Sequence, residues 1–537
     1  MRKIKYFLVT AAYCILLTSF MQINDNPDKS PQTDGAKGNN NIQVISSAQT
    51  IANNVRTWFR NNGSFNRDPS TGNSGFEWPV GSNKFARYAS GMWLGAVTGG
   101  DTLVCIAEYD YEYLNGYIDN SGQPQGRDDP NYRIYSILRG DTVSWDYITW
   151  PFQQGAYSDS LGKPLFLGTQ TMFYSFTDGY PESHGNNAGS TSPLKAVILQ
   201  TNWGYTNVNL RDVVFSEFRI INRSFLPWNN TYISIWTDDD LGNSSDDAVG
   251  IDTNLKMSYT YNFNATDPLY GTSPPAVGFL TLRNPIVPSP GDTVRYYSPP
   301  GTSYLIVKPG YREMKLSSFN LYTNADPYAG DPSNYIETYN NLQGLKRNGS
   351  AWINPQNSQS TKFPYPGDPV TSTGWTETGS GDRRSMMNFG PLTMNPGDTQ
   401  SVIVAQLIAG YSSNLENIAN LRSLANYVRG IYNTNFQSVI SVETLSTEVP
   451  DRFSLEQNYP NPFNPVTNLE FRISKLGFVS LKIYDVLGKE VKTLVNEKLS
   501  PGNYKVEFDG SNLTSGVYFY RLTAGEFTDT KRMMLVK

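Results

Sequence analysis

The stretch QNYPNPFNPVTNLEFRI (457–473), followed by VSLKIYDVLGKEVKTLV (479–495) and SGVYFYRLTAGEFTDTKRMMLVK (515–537), decides how this chain is read. In 467–473, Leu469, Phe471 and Ile473 alternate with Asn468, Glu470 and Arg472. Val479, Leu481 and Ile483 repeat the pattern in 479–484, and Tyr504, Val506 and Phe508 repeat it in 504–508. An apolar residue at every second position turns one face of an extended chain inward, which predicts half-buried strands. Turn signals separate them at Leu487-Gly488, Pro501-Gly502, Asp509-Gly510 and Ser515-Gly516. At each, glycine is expected to supply a positive φ without steric cost.

Six or seven strands between Pro450 and Lys537 predict an immunoglobulin-like β-sandwich. Pro460, Pro462 and Pro465 have no N–H to give a sheet ladder, so YPNPFNP is expected as an extended lead-in or edge segment.

At the other end, Arg2, Lys3 and Lys5 precede an apolar run from Tyr6 to Leu17. That charge and length fit an export signal over 1–22, because a bilayer-spanning helix needs about 20 apolar residues. Residues 23–41 lack apolar periodicity and predict a disordered leader. Beyond the signal Cys105 is the one cysteine, so stability must come from core burial, which 537 residues permit. The chain has a formal net charge of −5, and its acidic excess lies in the body, since both the signal and the tail are basic. An acidic body binds phosphate backbones poorly, which argues against nucleic acid as a partner.

Residues 42–436 alternate aromatic and β-branched runs with Gly, Pro, Asn and Asp turns, and predict a β-rich body. In VVFSEFRIIN (213–222), Val214, Phe218 and Ile220 lie on one face and Phe215 and Ile221 on the other. Apolar groups on both faces predict a central strand. The Pro-rich GTSPPAVGF (271–279) is a candidate boundary between two sub-sheets. Leu415, Ile418, Leu421, Leu424, Ala425, Val428 and Ile431 recur at helical spacing, with Ser413 and Glu416 as a capping box, predicting one helix near 413–432. Residues 437–449 read as a linker. The expected fold is thus all-β: a multi-domain sandwich body with one helix, then a terminal sandwich over 450–537.

Few side chains here carry chemistry. Asp238, Asp239, Asp240, Asp246, Asp247 and Asp252 fall within fifteen residues, and no Lys or Arg lies between Arg223 and Lys256. Carboxylates so crowded must be solvated or neutralised, and extracellular Ca²⁺ accepts six to eight oxygens in flexible geometry. Val249 stands where an EF-hand needs its twelfth-position Glu. Two readings stay open: Ca²⁺ held by Asp238, Asp240, Asp246, Asp247 and Asp252, or a solvated acidic loop. His184 is the only histidine, which excludes HExxH and other paired-histidine metal sites. It is expected as a hydrogen-bonded structural residue, with a Ser/His/Asp base as the alternative. Cys105 sits in TLVCIA without a basic neighbour and reads as an inert buried thiol. Asp382 beside Arg383-Arg384 pairs locally or faces a ligand. Glycoside hydrolysis needs only two carboxylates and aromatic platforms, so composition leaves it open.

The tail resembles the type A C-terminal sorting domain of the type IX secretion system of the Bacteroidetes–Ignavibacteria lineages, and the related immunoglobulin-like domain of flagellar hook-capping proteins. The resemblance rests on Pro460-Asn461-Pro462-Phe463-Asn464-Pro465, Tyr484-Asp485 with Gly488, Gly502 with Tyr504, Ser515-Gly516-Val517-Tyr518, and Lys531-Arg532. It implies Sec export to the periplasm, then passage across the outer membrane through the secretion machinery. The cargo would be released or attached to surface lipopolysaccharide. The body, through GFEWPVGS (75–82), SGMWLGAVTGGDTL (90–103), WTDDDLGNSSDDAVGIDT (236–253) and DRRSMMNFGPLTMNPGDTQ (382–400), resembles uncharacterised cargo of the same kind, which brings no assigned activity. The expected function is an exported surface or secreted protein. Its body would serve structure, adhesion or ligand binding without catalysis; the alternative is a carbohydrate-active or glycan-binding protein.

Overall fold

The computed structural model describes residues 45–436, 443–446 and 450–537, apart from 160, 208, 324–325, 500 and 511–512. The export signal over 1–22 and the leader over 23–41 lie outside the described residues, as does most of the linker.

Two large antiparallel sheets form the body. The first runs Ser47–Gln49, Trp58–Arg60, Ser64–Phe65, Ala89–Thr98, Trp228–Asp238, Arg383–Met394 and Ser318–Thr323, with Asp101–Cys105 also paired to Ala89–Thr98. The second runs Tyr135–Leu138, Gln170–Thr177, Ala196–Gly204, Val213–Asn222, Thr399–Ala409, Ala276–Arg283, Met257–Asn262 and Asp247–Asp252, with Leu114–Asn115 also paired to Gln170–Thr177. Phe65 of the first sheet meets Phe218 and Phe279 of the second at 6.3 Å between ring centroids, inside a core shared by both.

Val213–Asn222 shows why both of its faces are apolar. Val214, Phe218 and Ile220 enter the core between the sheets, whereas Val213 and Phe215 enter a second core on the outer face. That outer core is closed by the helix Asn414–Asn433 through Ile418, Leu421, Ala425, Val428 and Ile431. Ser413 Oγ accepts the Glu416 N–H at 3.3 Å, as its cap position requires. Leu415, at helical spacing with this set, remains exposed because it sits on the flank.

A second helix, Tyr335–Leu342, covers the outer face of the first sheet. Below it, Trp93 and Trp236 stack with centroids 5.9 Å apart. This helix and the short Trp145–Ile148 turn add to the single helix expected. The body is therefore four layers deep: helix, sheet, sheet, helix.

The Pro-rich stretch 271–279 marks no boundary. It joins Met257–Asn262 to Ala276–Arg283, which are hydrogen-bonded neighbours in one sheet. Pro274 and Pro275 directly precede the strand Ala276–Arg283, where no ladder N–H is needed.

The tail is a sandwich of two four-stranded sheets. One orders Glu443–Ser446, Gly502–Asp509, Val466–Ile473 and Ser454–Leu455; the other orders Glu490–Leu499, Gly477–Tyr484, Gly516–Ala524 and Phe527–Leu535. All nine residues expected to face inward are buried in one core. The sandwich starts earlier than Pro450, because Glu443–Ser446, expected in the linker, pairs with Gly502–Asp509. Of the four turn glycines, Gly488 has φ +78°. Gly502 and Gly516 instead open strands, and Gly510 is closely packed: a Cβ there would lie 3.1 Å from Leu535 Cδ2, which would have to shift slightly.

Candidate functional site

The acidic segment crosses from one body sheet to the other. Asp238 ends the central strand Trp228–Asp238 of the first sheet, and Asp247 begins the edge strand Asp247–Asp252 of the second. A crossing at the end of a sandwich carries its side chains inward, and so it does here. Asp238 is 2% exposed, Asp239 3%, Asp246 6% and Asp247 0%. The solvated-loop reading fails for these four.

The cations missing from the local sequence arrive from distant segments: Arg384 by strand pairing, Arg87 from the short strand Phe85–Arg87 and Arg422 from the helix Asn414–Asn433. Register places Asp238 opposite Arg384, whose Nε lies 3.4 Å from Asp238 Oδ1. That Nε donates to Tyr109 Oη at 2.8 Å, and Tyr109 Oη donates to Asp238 Oδ2 at 2.6 Å. Arg87 Nη1 contacts Asp239 Oδ1 at 2.5 Å, and Thr237 and Thr260 donate their hydroxyls to the same carboxylate. Arg422, on the outer helix, reaches Asp252 Oδ2 at 3.4 Å and Asp368 Oδ1 at 2.8 Å. Asp246 Oδ2 accepts from Asn262 Nδ2, and Asp247 Oδ2 accepts the Leu241 N–H.

The five expected ligands thus do not converge. Asp252 is drawn to Arg422 and Asp246 to Asn262, while Asp238 and Asp240 meet Asp382, with one carboxylate oxygen of each within 4.8 Å of the others. Asp382 is distant in sequence from that loop; only the pairing of Arg383–Met394 with Trp228–Asp238 brings it in. Burial pushes the Asp238 and Asp247 carboxyls well above the carboxylate range, and Asp240 up to about 6, where the charge of Asp382 adds to burial.

His184 follows the turn Pro181–Ser183 and is enclosed, with a side chain 2% exposed. Its Nε2 lies 2.8 Å from the Asp178 carbonyl oxygen, and the carboxylates of Glu112 and Asp178 stand 3.9 and 3.8 Å away. Asp178 is itself spent on the N–H groups of Leu194 and Ala196, both at 2.6 Å. Cys105 shares this interior with Asp178 and His184, and burial drives its thiol well above the usual range. A protonated, enclosed thiol is no nucleophile at neutral pH.

Burial also pushes Glu112 up to about 7, with Asp178 adding to it and His184 opposing. The folded chain then holds a proton that the unfolded chain releases near 4.5. The stabilisation is complete below 4.5 and is lost as pH rises through 7. Glu112→Gln, a neutral stand-in for the protonated acid, is expected to gain in melting temperature relative to wild type as pH rises from about 5 to about 8. A difference that stays constant across that range would refute the assignment.

Two clefts flank the hairpin Ile286–Tyr297/Leu305–Glu313, whose strands pair only with each other among the described residues. One, of about 330 Å³, is lined by Lys256, Arg283, Arg295, Tyr296 and Arg429, with Glu313 its one carboxylate. The other, of about 520 Å³, has Lys308, Tyr311 and Gln400 on its walls and Asp398 as its one carboxylate. Nothing in the sequence pattern pointed to these clefts, because their residues come from segments far apart along the chain.

In the tail, the motif residues divide by role. Asp485 Oδ1 accepts from Leu487 and Lys489 N–H groups around Gly488. Gly502 and Gly516 open strands, and Tyr518 is buried with its hydroxyl donating to Thr514 O at 2.9 Å. Pro460, Asn461 and Pro462 are exposed along the last strand, where Asn461 Oδ1 accepts the Met534 N–H at 3.0 Å. Phe463 bridges to Leu535, so YPNPFNP runs along an edge, as its prolines require. Lys531 lies in the same strand, paired with Tyr520.

No curated protein matches the chain in sequence. Among solved structures, a polysaccharide lyase aligns at 9% identity and a TM-score of 0.23, over 94% of this chain and 47% of its own. PorZ, an essential bacterial surface component of the type IX secretion system of Porphyromonas gingivalis, aligns at 9% identity and a TM-score of 0.12, over 91% and 75%. Neither score supports a shared fold. Residues 457–537, however, match the family model of the secretion system C-terminal sorting domain. The sandwich built on YPNPFNP is that domain, and the chain is a type IX secretion cargo, exported to the cell surface or beyond.

Proposed function

We propose that the body is a non-catalytic module that binds or builds outside the cell, with extracellular glycans or surface lipopolysaccharide as its ligand class. The observation that carries this reading is the make-up of the two clefts. Each presents aromatic, amide and basic side chains around a single carboxylate, Glu313 or Asp398. Such walls suit hydrogen bonding and stacking on a polar ligand. Glycoside hydrolysis by the usual route needs two carboxyl groups about 5–10 Å apart. The exposed hairpin between the clefts, with Tyr304 66% and Val307 48% exposed, adds a surface suited to contact.

A glycan array probed with the mature protein, run beside a reducing-end release assay on every glycan that binds, tests this. Binding without release is the expected result. Release of new reducing ends, abolished by Glu313→Gln or Asp398→Asn, would replace the proposal with a carbohydrate-active enzyme.

A further inference from the structure

We infer that Asp238, Asp240 and Asp382 hold a Ca²⁺ ion that ties the end of the first body sheet to the crossing segment. A cluster of acids alone would not show this; the state of their oxygens does. Asp238, almost wholly enclosed, keeps Oδ1 without a hydrogen bond. Its neighbour Arg384 gives the Nε proton to Tyr109 instead. Oδ1 of Asp240, Oδ1 of Asp382 and Oδ1 of the fully buried Asp247 likewise have no hydrogen-bond partner. Buried carboxylate oxygens are ordinarily satisfied, because leaving one bare forfeits its hydration. Asp238 Oδ1 has only the ion pair with Arg384 at 3.4 Å, and an oxygen of Asp240 and one of Asp382 have no hydrogen bond, which points to a ligand that accepts lone pairs.

The charge balance specifies that ligand. Arg384 is the one guanidinium among Asp238, Asp240 and Asp382; its Nη1 stands 2.9 Å from Asp382 Oδ2 without hydrogen-bond geometry, and Asp331 Oδ1 lies 3.9 Å from its Nε as well. When the three carboxyls are ionised they outnumber that guanidinium, and a divalent cation offsets the excess. All donors are oxygens, which suits a hard cation and disfavours zinc. Between the hard cations, Ca²⁺ tolerates an irregular, partly carboxylate shell better than Mg²⁺, which demands an octahedron. Asp238 lies in the first sheet and Asp382 directly precedes its strand Arg383–Met394, while Asp240 lies on the segment leading to the other sheet. The ion would therefore fasten the crossing where it leaves the sheet.

The test uses the full mature chain, stripped with EGTA and then titrated with CaCl₂ by calorimetry and thermal unfolding. Wild type is expected to release or absorb heat, and to gain about 3 °C in melting temperature at roughly a hundredfold excess over Kd. Asp240→Asn and Asp382→Asn are each expected to lose the calcium response. In EGTA both should be at least as stable as wild type, since each removes a like charge from a crowded site. That reversal of order separates a cation site from a purely structural role, in which the variants would rank the same with and without calcium. Absence of any calcium effect on wild type, a response to Mg²⁺ alone, or an unchanged response in both variants would each overturn the inference.

Discussion

Removal of residues 443–537 is expected to stop the protein beneath the outer membrane, as a folded body in the periplasm. Every described strand from Glu443 to Leu535 pairs within that segment, and its core draws only on residues of the same segment. Cutting there opens neither body sheet, so the truncated chain keeps its cores and loses the sorting domain that matches over 457–537. Fractionation with protease accessibility on intact cells is the measurement. The surface signal should fall to that of a periplasmic control, and a reporter carrying an export signal and residues 443–537 should gain surface delivery. A truncated chain that reaches the outside at wild-type level would remove the basis for the sorting role.

Asp239→Ala is expected to cost the body about 3–5 kcal/mol, the usual penalty for stripping the partner from a buried charge. Arg87 is fully enclosed, with its guanidinium 4.3 Å from the Phe279 ring centroid and 5.6 Å from that of Phe76. Its Nη1 meets Asp239, while Nε and Nη2 have no hydrogen-bond partner, so this carboxylate is the main compensation for a cation in an apolar core. The double variant Arg87→Met/Asp239→Ala should recover about 0.5–3 kcal/mol of that loss, since the stranded charge disappears with its partner. Urea unfolding of the two single variants and the double closes the cycle. An Asp239→Ala loss below about 1 kcal/mol would show that water or another group satisfies Arg87.

Period-two patterning in the tail, the two-faced strand Val213–Asn222 and the capped helix Asn414–Asn433 are all legible in residue order alone, because each depends on neighbours along the chain. Alternation tells which side of a strand is wet, and a 3.6-residue period tells which side of a helix is. The expected boundary at 271–279 and the expected start of the terminal sandwich were both misplaced. Each is a matter of which strand pairs with which, and residue periodicity is silent on partners.

The acidic segment shows the division most clearly. Its composition announced that six carboxylates needed an answer, and left solvent and a cation both standing. That Asp238 met Arg384 and Asp382 followed from the register between Trp228–Asp238 and Arg383–Met394, whereas Arg87 and Arg422 reached Asp239 and Asp252 from a separate short strand and from the outer helix. Local sequence determined the alternating strands of the tail, the two-faced strand Val213–Asn222, the capped helix Asn414–Asn433 and the exported character of the chain. Charge neutralisation and the clefts were decided by tertiary structure alone, because electrostatic partners are chosen by distance in space, and a β-sheet makes neighbours of residues far apart along the chain.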